Sequence, residues 1–193
     1  MIRIAAAAAV LCLAGCAKPL EVASITEIKT PPGTRGIDIY AERRAKGEKV
    51  PDFAGDQIVE VRAFVQPPDG PTGDELAGAR CKVGARDFSA EVVTPAKVRV
   101  PIYRIHSSPI AVSCEREGYK PRMVEVAAYN ATKAERLNGA ANGGVVGVLL
   151  VTAINAASDE TTHDFRYPPA RVAMEPVAAA APVRSAEASA TAR

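Results

Sequence analysis

From Gln57 to Ala128 apolar side chains recur at every second position, the period of strands that bury one face. In the first run Val59, Val61, Ala63 and Val65 share one face, while Glu60, Arg62 and Gln66 share the other. Five turn formers in a row, Pro67 to Pro71, then break the chain. Alternation resumes in Ala79, Cys81 and Val83, in Phe88, Ala90 and Val92, and in Ala96, Val98, Val100 and Ile102. It continues through Ile110, Val112 and Cys114, and ends with Val124, Val126 and Ala128. Short strands at this spacing predict a small antiparallel sandwich rather than parallel units linked by helices.

The pattern changes after Leu137. No charge occurs from there to Ser158, and Gly139, Gly143 and Gly147 recur every fourth residue. On one continuous helix the three glycines would share a face, the spacing that permits close approach in membrane helices. Glycine inside a helix costs about 1 kcal/mol relative to alanine, and Asn138, Asn142 and Asn155 interrupt the apolar run. The expectation is therefore a turn or cap at Gly143 and Gly144, then Val145 to Ile154 as a short helix or strand packed on the sandwich. Asp159, Glu160, His163 and Asp164 form a polar turn, and Phe165 and Tyr167 restart an alternating stretch through Val172, predicted to return to the sheet. The tail from Ala173 to Arg193 has too little bulky apolar surface to fold, and disorder is expected there.

At the other end, Met1, Ile2 and Arg3 precede an uncharged run from Ile4 to Gly15. This is the order of a secretory signal peptide, and it is too short to span the roughly 30 Å hydrocarbon core of a bilayer. The run closes with Leu13, Ala14, Gly15 and Cys16, which resembles the lipobox of bacterial lipoproteins. That resemblance implies cleavage before Cys16, lipid on its thiol and acylation of the new amino terminus. Two or three acyl chains anchor stably where one does not. Ala17 follows, not the Asp that resembles an inner-membrane retention signal, so outer-membrane sorting facing the periplasm is the implied address.

With Cys12 discarded and Cys16 lipidated, Cys81 and Cys114 remain as an even pair in an oxidising compartment, which predicts a disulfide. Both lie on the apolar faces of their strands. The loop of about 34 residues that they close is worth on the order of 3 to 4 kcal/mol.

The Thr94 and Pro95 pair, the alternating Val98 and Val100, the strand ending at Cys114, the Gly118 and Tyr119 pair and the strand after Pro121 together resemble PEGA-type domains. These are small β-sandwich modules of bacterial surface proteins and lipoproteins. The match covers roughly residues 76 to 128 and lacks the PEGA tetrapeptide itself. It implies a binding or scaffold module without catalytic residues, in which Pro95 fixes a turn and Gly118 takes a positive φ.

Composition narrows the function further. Tryptophan is absent and aromatic residues are 5% of the chain, which disfavours stacking platforms for sugars or single strands. The formal charge is +2, and loss of residues 1–15 removes Arg3 and leaves 23 basic against 22 acidic groups, so no field for nucleic acid follows. His106 and His163 are the available imidazole bases, and no nucleophile-elbow, zinc or phosphate-loop pattern accompanies them.

The expected organisation is a signal peptide over 1–15, a lipidated tether and irregular segment over 16–56, and a PEGA-like sandwich over 57–136. The glycine-spaced segment and returning strand occupy 137–172, and the tail 173–193. The expected protein is mainly β with one inter-strand disulfide and a short Gly-rich apolar helix or hairpin. It is a non-enzymatic envelope lipoprotein, without cofactor or metal, held at a membrane through Cys16 and bound to a protein or cell-wall partner. A membrane-associating or oligomerising component using Gly139, Gly143 and Gly147 is one alternative, and an envelope hydrolase is the other.

Overall fold

Each alternating run becomes a strand with its apolar set inward. In the structure, a computed structural model that describes residues 19–22, 24–34 and 36–177, the strands are β1 (Ile25–Glu27), β2 (Phe53–Val65), β3 (Arg80–Ala85), β4 (Phe88–Val93), β5 (Ala96–Tyr103), β6 (Ile110–Glu115), β7 (Arg122–Val126), β8 (Tyr129–Asn130), β9 (Phe165–Arg166) and β10 (Ala170–Met174). Three helices join them: α1 (Ala41–Ala45), α2 (Ala131–Ala140) and α3 (Gly144–Ala157).

Two four-stranded sheets form a sandwich, ordered β1-β5-β2-β10 and β4-β3-β6-β7. The strands predicted from alternation pair antiparallel, β2 with β5 and β3 with both β4 and β6, and β6 with β7. The two edges of the first sheet are added in parallel, β1 on β5 and β10 on β2. Val59, Val61, Val98, Val100 and Val172 from the first sheet meet Val83, Ile110 and Val112 from the second in one core. The chain passes between sheets at the cis Thr94–Pro95 peptide. There the buried Thr94 hydroxyl accepts from the Ala79 amide at 3.1 Å and donates to the Leu76 carbonyl at 2.9 Å. Gly118 adopts φ +79° after β6, the bend expected of it.

Several expectations need correction. Within the segment 16–56, β1 adds to the sheet, and β2 begins at Phe53, four residues before the boundary at 57. Residues 38–44 clasp one end of the sandwich through contacts distant in sequence. The Tyr40 hydroxyl donates to Asp87 at 2.6 Å and the Tyr103 hydroxyl accepts from the Ile39 amide at 3.0 Å, while within the segment Arg44 pairs with Asp38 at 2.7 Å. At the other terminus, residues 173–177 belong to the fold. Met174 is fully buried, Glu175 pairs with Lys120 at 2.9 Å, and the Val177 amide donates to Gly118. The remainder of the expected tail, 178–193, lies outside the described residues, as do Cys16 and the segment 1–15 expected to be a signal peptide.

The largest difference concerns α3. It is a helix opening at the Gly143 and Gly144 turn, as expected, but it does not pack on the sandwich. Val145 is 77% exposed and Leu149 64% exposed.

Candidate functional site

The disulfide forms where alternation placed it. Cys81 and Cys114 stand directly opposite each other in the β3–β6 register, with Cα atoms 4.1 Å apart, and both side chains are buried. It staples the middle of the second sheet and exposes no reactive sulfur. Cys16, the expected lipidation site, cannot be placed, because residues 1–18 are outside the described residues.

Neither histidine assembles a catalytic group. His106 is exposed on the turn after β5. The hollow beside it, among Tyr40, Asp87, Tyr103 and Tyr167, encloses about 10 Å³, scarcely the space of one water. Burial and the hydrogen bond to Asp87 push the Tyr40 phenol up to about 12, and burial raises Tyr103 and Tyr167 as well, so these phenols stay protonated and structural.

His163 is 2% exposed and serves as a prop. The Asn130 side-chain oxygen caps α2 by accepting from the Lys133 amide at 2.9 Å, which turns its amide nitrogen toward His163 Nδ1, 2.8 Å away. With its oxygen used in the cap, Asn130 presents its amide nitrogen as the donor and Nδ1 is the acceptor. Asp164 is exposed, and its backbone amide donates to the Thr132 hydroxyl at 3.0 Å. Among the described residues no cluster of three His, Cys, Asp or Glu is arranged to hold a metal.

These polar groups form the base of a helical hairpin. Asn155 of α3 donates to the Lys133 carbonyl of α2 at 3.4 Å and accepts from Arg136 at 3.3 Å. Residues 22 apart in sequence can meet in this way only if the chain doubles back, since one straight helix would separate them by about 33 Å. Gly144, at φ +63°, makes the reversal, and Gly147 lets α3 approach so closely that a Cβ there would sit 2.6 Å from the Ala140 carbonyl. Gly139 and Gly143 meet nothing in comparable contact, so the three glycines do not line a shared face. The recurrence in the sequence reflects a turn and one close approach.

Lys133 also pairs with Glu160, which holds the Glu160 carboxyl below its usual range. β8 pairs with β9 at the hairpin base, Tyr129 opposite Arg166, beside Ala54 and Gln57 at the start of β2. Beyond that base, α3 presents Val145, Val146, Leu149, Leu150 and Ile154 to the exterior.

A second feature is an open groove of about 680 Å³ between Val22, Ser24 and Thr26 and the outer face of the second sheet, lined there by Arg80, Lys82, Glu91, Ser113 and Glu115 among others. Its charges are mixed in sign, and neither histidine lines it.

Comparison with protein families, curated proteins and solved structures finds no match to this chain. What fold and site define is a class: a disulfide-stapled, mainly β sandwich from one end of which an apolar helical hairpin projects.

Proposed function

We propose that the protein is a non-enzymatic, lipid-anchored envelope lipoprotein whose sandwich serves as a scaffold at a membrane surface, probing partners through its folded faces rather than through an active site. The observation that carries this reading is the agreement of two features in one chain. A lipobox-like Leu13 to Cys16 follows an apolar leader, and the export it implies accords with a disulfide between the remaining pair of cysteines. The placement of both histidines supports a role without catalysis. One is exposed beside a hollow too small for a substrate, and the other is consumed in propping a helix.

The runner-up from the sequence, membrane association through the glycine-spaced segment, is favoured by a specific observation: α3 exposes its apolar side chains. The two readings are compatible, with lipid on Cys16 supplying attachment and the hairpin a second contact. Replacement of Cys16 by Ser tests the first. The native chain should incorporate an alkyne-tagged palmitate, and the variant should not, leaving precursor or soluble protein. Label persisting in the variant contradicts lipidation at this residue.

A further inference from the structure

We propose that the α2–α3 hairpin is a lipid-docking element that lies in the plane of a bilayer's head-group boundary, with α3 immersed among acyl chains and α2 facing water. No charged residue occurs between Leu137 and Ser158. At about 100° per residue, Val145, Leu149, Val146, Leu150 and Ile154 spread across roughly 180° of α3. The remaining side, with Gly147, Val151 and Asn155, turns toward α2.

That breadth selects the occupant. A helix of 14 residues is about 21 Å long and about 10 Å wide, so it offers a footprint of roughly 200 Å², against the roughly 800 Å² each partner contributes to a stable interface. A second copy seated on it would also leave about half of the apolar arc in water, whereas a fluid acyl layer covers an arc of any width. The hairpin is two-sided in the required sense. α2 carries Glu135 and Asn138 outward. Polar groups of α3 are satisfied internally: the Thr152 hydroxyl donates to the Val148 carbonyl at 2.8 Å, and Asn155 is held by Arg136 and Lys133.

The stretch Ala131–Ala157 is long and apolar enough to cross a bilayer as one helix, yet the fold forbids it. β7 precedes it and β10 follows it, both in the same sandwich with Val172 and Met174 fully buried, so the chain must enter and leave on one side. A spanning helix would strip β10 from β2.

The test uses the full chain carrying Leu149→Cys or Glu135→Cys, each labelled with the environment-sensitive fluorophore NBD, in vesicles of phosphatidylethanolamine and phosphatidylglycerol with nitroxide-bearing lipids, with the signal of the labelled unsubstituted chain subtracted to remove any label on Cys12 and Cys16. The label at 149 should shift to the blue and be quenched at least roughly twofold more than that at 135, most strongly by shallow nitroxides, as interfacial depth requires. Circular dichroism matching the unlabelled chain confirms that both variants are folded. Equal quenching at both positions, or none at 149, overturns the proposal. Crosslinking of 149 to 149 without quenching assigns the surface to a second copy. The inference stands beside the lipidated-anchor reading, and the chain from Ala17 onward, which keeps every described strand and helix, separates the two. Quenching at 149 in that unlipidated chain upholds the hairpin even if Cys16 proves unmodified, and its absence there refutes the hairpin whatever the state of Cys16.

Discussion

At the residue scale the cysteine pair ties compartment to structure. Alternation put Cys81 and Cys114 on inward faces, and the register sets them opposite each other. Replacing both with Ala should lower stability by roughly 2 to 5 kcal/mol in urea unfolding, by relaxing a constraint on the unfolded chain. Two free thiols in the unreduced, denatured mature protein would contradict the bridge. Tyr40 offers a second check. Its phenol is held up to about 12 by burial and by Asp87. Since the unfolded phenol titrates near 10, the stabilisation is complete below pH about 10 and is lost as the pH climbs from about 10 to about 12. Titration of tyrosinate absorbance should show a delayed fraction that Tyr40→Phe diminishes, and a titration unchanged by that variant would contradict the clasp. The disulfide was legible because strand period and residue type coincide at 81 and 114. The clasp was not, because Tyr40 and Asp87, or Ile39 and Tyr103, meet across dozens of intervening residues and carry no local periodicity.

At the element scale, strands with one buried face were legible and their edges were not. Val59 to Val65 and Ala96 to Ile102 announce β2 and β5 by alternation, and the alternating stretch through Val172 returns to the sheet as expected, but nothing local shows that it does so in parallel or that three residues near Ile25 join as the other edge. Those strands are fixed by the backbone groups that β5 and β2 leave unpaired. For the same reason the fold runs past the tail boundary expected at Ala173. A chain ending at Val177 should melt within a degree or two of the full protein. One ending at Ala173 loses the fully buried Met174, worth about 1.5 to 3 kcal/mol in burial alone, and should melt several degrees lower. Equal melting temperatures would show that Met174 contributes no packing. For α3 the apolar composition was legible and its destination was not. A run without charge reads alike whether it is covered by a sandwich or by something outside the chain, and only the doubling back at Gly144 distinguishes the two.

At the scale of the whole molecule, the two expected membrane contacts leave the sandwich from different ends. Leu20, four residues past Cys16, is held against Arg62 and Glu75 toward the end of β2, while the hairpin base sits beside Ala54 and Gln57 at its start. A lipid at Cys16 reaches only about 10 to 14 Å from there. If both contacts engage one bilayer, β2, with 13 residues and about 43 Å of length, lies near the membrane plane. Neutron reflectometry should then find a protein layer thinner than the roughly 43 Å length of β2, and a layer thicker than that would mean an upright sandwich with the hairpin held away from that bilayer. The central claim, that the chain is a lipoprotein, is tested most directly by intact mass and fragment analysis of the mature amino terminus. The account predicts a chain that begins at Cys16 and carries a diacylglyceryl thioether. A mature protein that begins at any other residue, or at an unmodified Cys16, would contradict it.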